Sequence, residues 1–226
     1  MYDREMPECA KREIPLLRQE LHNLKTCQVA FLSTGFTATA LLLGLIPKLI
    51  ECGLSTLGFL TPLVVVLPAF CFFFDKARTI TRIVGYYRIL ESIVNTSALP
   101  GWENALARSR MESNRKGKMS KFGRVMLMRR PHGYWALAYH TFMLLCLLCL
   151  VGGWRVALSD QEPTGFWGLL IFASILVLAC LGRNLYLIWD LTVGESSYEA
   201  NYQKWQKTLR LQLKEGRKLP GSGIEE

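Results

Sequence analysis

The chain has 226 residues, half of them hydrophobic and a fifth charged, with 27 Lys and Arg against 18 Asp and Glu. The charges are segregated from the apolar residues into separate stretches. That excludes an ordinary soluble domain, whose core does not need several uncharged runs long enough to cross a bilayer.

Residues 1–26 carry five basic and five acidic side chains up to Lys25. Among them Ile14, Leu17, Leu21 and Leu24 recur at i, i+3, i+7 and i+10, which predicts an amphipathic helix, with Pro15 in its first turn, where a missing N–H is harmless. An uncharged run begins only at Cys27. It is too late and too long for a cleaved signal, and reads as a retained first span.

Residues 27–74 form the first predicted transmembrane hairpin, from runs Cys27–Ile46 and Cys52–Phe74 of 20 and 23 residues. About 20 apolar residues in a helix cross the hydrocarbon layer. Pro47 and Gly53 mark the turn between them. Ser33, Thr34, Thr37 and Thr39 on the first run are expected to meet other helices rather than lipid. Pro62 and Pro68 are expected to kink the second run.

Residues 75–132 are predicted as a helix followed by a polybasic segment. Ile80, Ile83, Val84, Tyr87, Leu90 and Val94 form an apolar stripe, and one helix from about Leu57 to Val94 is expected. Arg78, Arg82, Tyr87, Arg88, Glu91, Trp102 and Glu103 are the candidate partner-binding residues. The plainer expectation is that Arg82 or Arg88 forms surface ion pairs with Glu91 and Glu103. Arg115, Lys116, Lys118, Lys121, Arg124, Arg129 and Arg130 are the candidate lipid-binding residues, because juxtamembrane basic groups are attracted to an anionic leaflet. Nucleic acid is not an expected partner: a basic run without a recognised fold is weak evidence for it.

Residues 133–189 form the second predicted hairpin, from runs Gly133–Trp154 and Pro163–Gly182 of 22 and 20 residues, with a turn between Gly152-Gly153 and Gly165. His140, Arg183 and Asn184 are the candidate intramembrane polar residues. His140 is expected to bond a Ser or Thr on a neighbouring helix, and Arg183 and Asn184 to snorkel outward in the company of Asp190. Cys146 and Cys149 lie mid-run, where thiols read as small packing residues rather than a redox or metal pair. Residues 190–226 are predicted as a C-terminal helix striped by Tyr198, Tyr202, Trp205, Leu209 and Leu213, then a tail. Each half of the chain thus reads as a hairpin followed by a Tyr-bearing helix, although no residue string repeats.

The fold class expected is all-α, a four-helix transmembrane bundle of two hairpins with amphipathic cytosolic extensions. Lys and Arg number five in the N-terminal segment, thirteen in Lys76–Gly133 and six after Gly194, but one in each short connection (Lys48 and Arg155). Basic residues near span ends stay in the cytosol. Both termini and the middle segment are therefore expected there, in a cell inner membrane.

The string from Arg82 through Tyr86, Tyr87 and Arg88 to Glu91, followed by Gly101-Trp102-Glu103, resembles a pattern in uncharacterised bacterial integral membrane proteins, in which a basic-aromatic helix follows a transmembrane hairpin. The outline is also similar to two-span membrane effector modules of bacterial conflict systems, from which four spans depart. The resemblance implies a bacterial protein whose cytosol-facing helix matters, and lends no catalytic residue. No GxSxG, Walker loop, HExxH or dinucleotide fingerprint occurs. The function expected is that of a non-enzymatic interaction or effector protein. Its expected partners are an anionic inner leaflet, further copies of itself and a cytosolic protein, with no cofactor or metal. A small channel or transporter is the alternative, and a lipid-modifying enzyme using His132 and Asp190 a further one.

Overall fold

A computed structural model describes residues 2–52, 54–94, 101–115, 133–159 and 164–216, and the described residues are helical apart from short turns. In chain order the helices are α1 (Tyr2–Leu43), α2 (Ile46–Glu51), α3 (Ser55–Leu60), α4 (Leu63–Val94), α5 (Trp102–Arg115), α6 (Gly133–Ser159), α7 (Thr164–Thr192) and α8 (Tyr198–Gly216). Four stretches are long and apolar enough to cross a membrane: Glu8–Leu43, Thr56–Val94, Tyr134–Ser159 and Phe166–Thr192. The chain has the build of a multi-pass, all-helical membrane protein.

The N-terminal segment and the first apolar run are one continuous helix of 42 residues, about 63 Å long at 1.5 Å per residue. It lies against α4, the longest partner in the fold. Gln28 Nε2 donates to the Phe73 carbonyl at 3.0 Å, and further out Leu21 and Leu24 pack with Ile80 and Val84. Both helices run well past the apolar layer, and the register set at Gln28 continues into the charged end.

The second apolar run does not make one helix from Leu57. Pro62 has no N–H and its ring excludes the preceding turn, so α3 ends at Leu60 and α4 starts at Leu63. Pro68 stays inside α4. The break in the second hairpin lies within the expected stretch from Gly152-Gly153 to Gly165, since α6 ends at Ser159 and α7 starts at Thr164. α6 passes through both glycines to Ser159, and Gly152 instead admits the Phe59 ring, which occupies the space a Cβ would take. The expected turn residue Gly53 and Pro163, the start of the fourth run, lie outside the described residues.

The core between the spans is aromatic. Phe70 stacks on Phe142 at 4.9 Å between centroids and approaches Tyr139 at 5.6 Å, while Phe73 meets Phe74 edge-on at 5.1 Å. In lipid such contacts stabilise through packing rather than by leaving water. Cys146 and Cys149 are fully buried within this core.

The hydroxyl residues of the first span divide. Thr39 is buried and bonds the Gly35 carbonyl of its own helix at 2.7 Å, but Ser33, Thr34 and Thr37 are exposed. Those three therefore meet no other helix of the single chain. The inward side of α1 is taken by Phe31, Leu32 and Gly35, the last against Phe142.

The two halves of the chain also differ more than their outline suggests. α4 carries its Tyr-bearing stripe without interruption, whereas α7 and α8 are separated by a turn at residues 193–197.

Candidate functional site

The conspicuous polar assembly lies at the charged end, where α1, α4, α5 and α8 meet. The stripe that brings them together is buried as far as Leu90: Ile80, Val84, Tyr87, Ile89 and Leu90 all lie inside. On α8 the half-buried Tyr198, Tyr202 and Trp205 face α4, joined by a buried Asn201. A Cβ on Gly85 would come within 2.9 Å of the Asn201 and Tyr202 backbone. Glycine at that position therefore lets α8 cross α4 at backbone contact. Asn201 Nδ2 reaches the Ser196 carbonyl at 2.8 Å and Thr81 Oγ1 at 3.4 Å, closing the crossing with hydrogen bonds.

Arg88 is 6% exposed at this crossing. Its Nη1 lies 3.2 Å from Glu199 Oε2, its Nε donates to Asn104 Oδ1 at 3.4 Å, and its guanidinium sits 4.2 Å above the Tyr202 ring. One cation thus ties α4 to α5 and α8. A buried guanidinium is tolerated only with this kind of multiple satisfaction.

Glu91, also buried, is not its partner. Its carboxylate accepts from the backbone N–H groups of Glu103 (3.4 Å) and Asn104 (3.2 Å) and from Asn104 Nδ2 (3.2 Å). It therefore caps the first turn of α5, where free N–H groups and the helix dipole favour an anion. Gly101 precedes that turn, and a Cβ there would collide with the Glu91 carboxyl. The expected surface pairing of Arg82 or Arg88 with Glu91 and Glu103 is not what forms.

The remaining candidates fall around this junction. Tyr87 is buried, and its hydroxyl accepts from Arg18 Nη2 at 3.0 Å. Arg78 donates from Nε to Ser196 Oγ at 3.1 Å and stands 4.0 Å from Asp190. Arg82 is exposed, and its backbone carbonyl accepts from Trp205 Nε1 at 3.1 Å. Trp102 is 74% exposed. Tyr86 donates to Glu13 Oε2 at 2.7 Å, and burial first, then this carboxylate, pushes its phenol up to about 12. So Tyr87, Arg88 and Glu91 spend their polar atoms inside the chain, while Arg78, Arg82 and Trp102 remain on its surface.

The intramembrane candidates find other partners than expected. His140 Nδ1 lies 2.7 Å from the Ala136 carbonyl of its own helix, not from a neighbour's hydroxyl. Arg183 makes a two-toothed contact with Asp75, at 2.9 and 3.2 Å. Asp190 instead serves Arg78 and the Ser196 N–H (3.3 Å). Asn184 is fully buried, donating to the Cys180 carbonyl at 2.9 Å and to Cys180 Sγ at 3.3 Å, beside Cys71, whose sulfur is 3.5 Å from that of Cys180. Gln28, Asp75 and Asn104 hold positions that the sequence reading left out. Gln28 was the most accessible of them, as the one amide in an otherwise small or apolar run.

Among the described residues no group of three His, Cys, Asp or Glu side chains is placed to hold a metal ion. Arg115 ends α5, and Lys116, Lys118, Lys121, Arg124, Arg129, Arg130 and His132 lie outside the described residues. The geometry at the charged end can join helices and present basic and aromatic side chains. No known family model, curated protein or solved structure matches the chain, so its function is read from its own residues.

Proposed function

We propose that the chain is a non-enzymatic interaction or effector protein of a bacterial inner membrane, with both termini and the polar junction in the cytosol. It acts by self-assembly through α1, and the junction docks a cytosolic partner or the leaflet. The single observation that carries this reading is the outer face of α1. Thr26, Ala30, Ser33, Thr37 and Ala40, alternately four and three residues apart, are all exposed in the single chain. Small and hydroxylated residues are wasted on lipid, but they let two membrane helices approach closely and hydrogen-bond. A spacing averaging 3.5 residues keeps such a seam facing a partner helix.

The orientation is supported by charge. Along the sequence the basic residues cluster before the first run, between the two hairpins and after the last run, while Lys48 and Arg155 stand alone between the runs of each hairpin. Cys9 and Cys52 are both exposed and lie at opposite ends of the first hairpin. An impermeant maleimide applied to intact cells is expected to label Cys52 and to spare Cys9 until the membrane is opened. The reverse pattern overturns the orientation. Photobleaching of single fluorescently tagged chains in native membranes tests the assembly: two or more bleaching steps per spot are expected, and uniformly single steps contradict it.

A further inference from the structure

A cleft of about 370 Å³ opens between α1, α4 and α5 at the charged end, lined by Arg18, Leu21, His22 and Lys25 of α1, Tyr87 of α4, and Trp102 and Glu103 of α5. The three polar α1 residues, Arg18, His22 and Lys25, fall at i, i+4 and i+7, one face of the helix. Leu21, between them in sequence, packs in the Ile80–Val84 cluster at the floor of the cleft and fixes which way that face points.

The cleft is rich in donors and poor in acceptors. Of Arg18's five N–H donors, one is taken up by Tyr87 Oη. Lys25 brings three more and, among the described residues, neither it nor Arg18 is ion-paired with a carboxylate. Glu103 is the sole acid on the wall, facing two permanent cations and an imidazole. Tyr87 is buried, so its hydroxyl holds the Arg18 guanidinium in place rather than leaving it to wander in solvent. Trp102 supplies an exposed aromatic flank.

The depth is equally specific. Lys25 stands two residues before the first apolar run begins at Cys27. Arg18 is about 10 Å further along the helix axis. The polar layer on each side of the hydrocarbon is roughly 5–8 Å thick, so the cleft begins at its inner edge and extends just beyond it. Exposed tryptophan is enriched at that level.

We propose that this cleft binds a phosphate-bearing anion, supplied by the phosphodiester of an anionic lipid in the adjoining leaflet. Lys25 meets the phosphate as a point charge and Arg18 through paired N–H donors. The glycerol region rests against Trp102. This site is separate from the polybasic segment and holds whether or not the chain self-assembles.

Native mass spectrometry of the full-length chain in neutral detergent, titrated with phosphatidylglycerol or phosphatidylcholine, tests it. One phosphatidylglycerol is expected to be retained in preference to phosphatidylcholine. The double variant Arg18→Gln/Lys25→Gln should lose that preference by about ten-fold or more. The control Lys207→Gln/Arg210→Gln removes equal charge from the exposed side of α8 and should change it by less than about two-fold. The exchange Arg18→Lys/Lys25→Arg should keep most of it. Both α1 residues are exposed, so these variants keep the fold, which circular dichroism checks. Equal losses in the cleft and control variants, or no loss in either, overturn the site. Displacement by inorganic phosphate as readily as by soluble short-chain phosphatidylglycerol overturns the lipid as its source.

Discussion

The Arg88 guanidinium lies 4.2 Å from the centre of the Tyr202 ring while its Nη1 meets Glu199 Oε2 at 3.2 Å, so one α4 side chain holds one turn of α8 by both a face and an edge. The Glu199 side chain is 42% exposed and that of Arg88 only 7%, so the two ends of the pair are not equivalent. Replacing Arg88 with Met removes the cation–π contact and the bond to Asn104 as well, and should cost about 1–3 kcal/mol. Glu199→Gln leaves the ring and Asn104 in place and should cost under about 1 kcal/mol. Unfolding in mixed micelles of both single variants and the double checks this order. Equal costs would mean that Tyr202 and Asn104 contribute nothing.

Glu91 reaches the start of α5 from 12 residues upstream and makes the capping bonds that a local Ser or Asp would otherwise make. Glu91→Ala is expected to destabilise α5 by about 1–2 kcal/mol, seen as faster proteolysis between Gly101 and Arg115. Gly101→Ala should do much the same by pushing the carboxylate away. The double variant should then cost less than the two singles added, because both break one contact. Strict additivity would count against the cap.

At Gly85 the α4 and α8 backbones touch. Gly85→Val is expected to displace α8, costing about 1–3 kcal/mol through overpacking, and to raise hydrogen exchange across Tyr198–Leu209. Unchanged protection there would mean that α8 is not docked through this crossing.

Tyr86 gives a pH window. Its folded value near 12 stands above the ordinary phenol value of 10.0, from burial and the Glu13 carboxylate. The folded state therefore keeps the proton longer than the unfolded chain does. The resulting stability is fully present below about pH 10 and is lost as pH rises toward 12. Between pH 9 and pH 11 the parent chain should lose more stability than Tyr86→Phe, measured by thermal unfolding. A parallel loss in both would place the titration elsewhere.

What could be read from the sequence depended on how far each cause reaches along the chain. All four spans were legible as uncharged runs, because helix length and hydrocarbon thickness are matched locally. The stripe Leu21, Leu24, Ile80 and Val84 was legible from its spacing. The wedge at Pro62 was foreseen as a kink, yet it ends a helix. The polar pairings were not legible: Asp75 with Arg183 and Arg88 with Glu199 join residues more than a hundred positions apart. Glu91 was misassigned to Arg88 because one helical turn separates them, while its real partners are backbone groups across a loop. Ser33 and Thr37 were expected to meet other helices, but spacing alone does not say whether those helices belong to the same chain. Here the single chain leaves them outside.

Assembly through that outer face is tested most directly by cysteine crosslinking in native membranes. In a chain whose seven native cysteines are replaced, Thr37→Cys sits on the outer face of α1 and Ile171→Cys on the exposed side of α7. Oxidation should give a covalent dimer from Thr37→Cys and little or none from Ile171→Cys. A monomer at both positions, or equal dimer at both, would contradict assembly through α1.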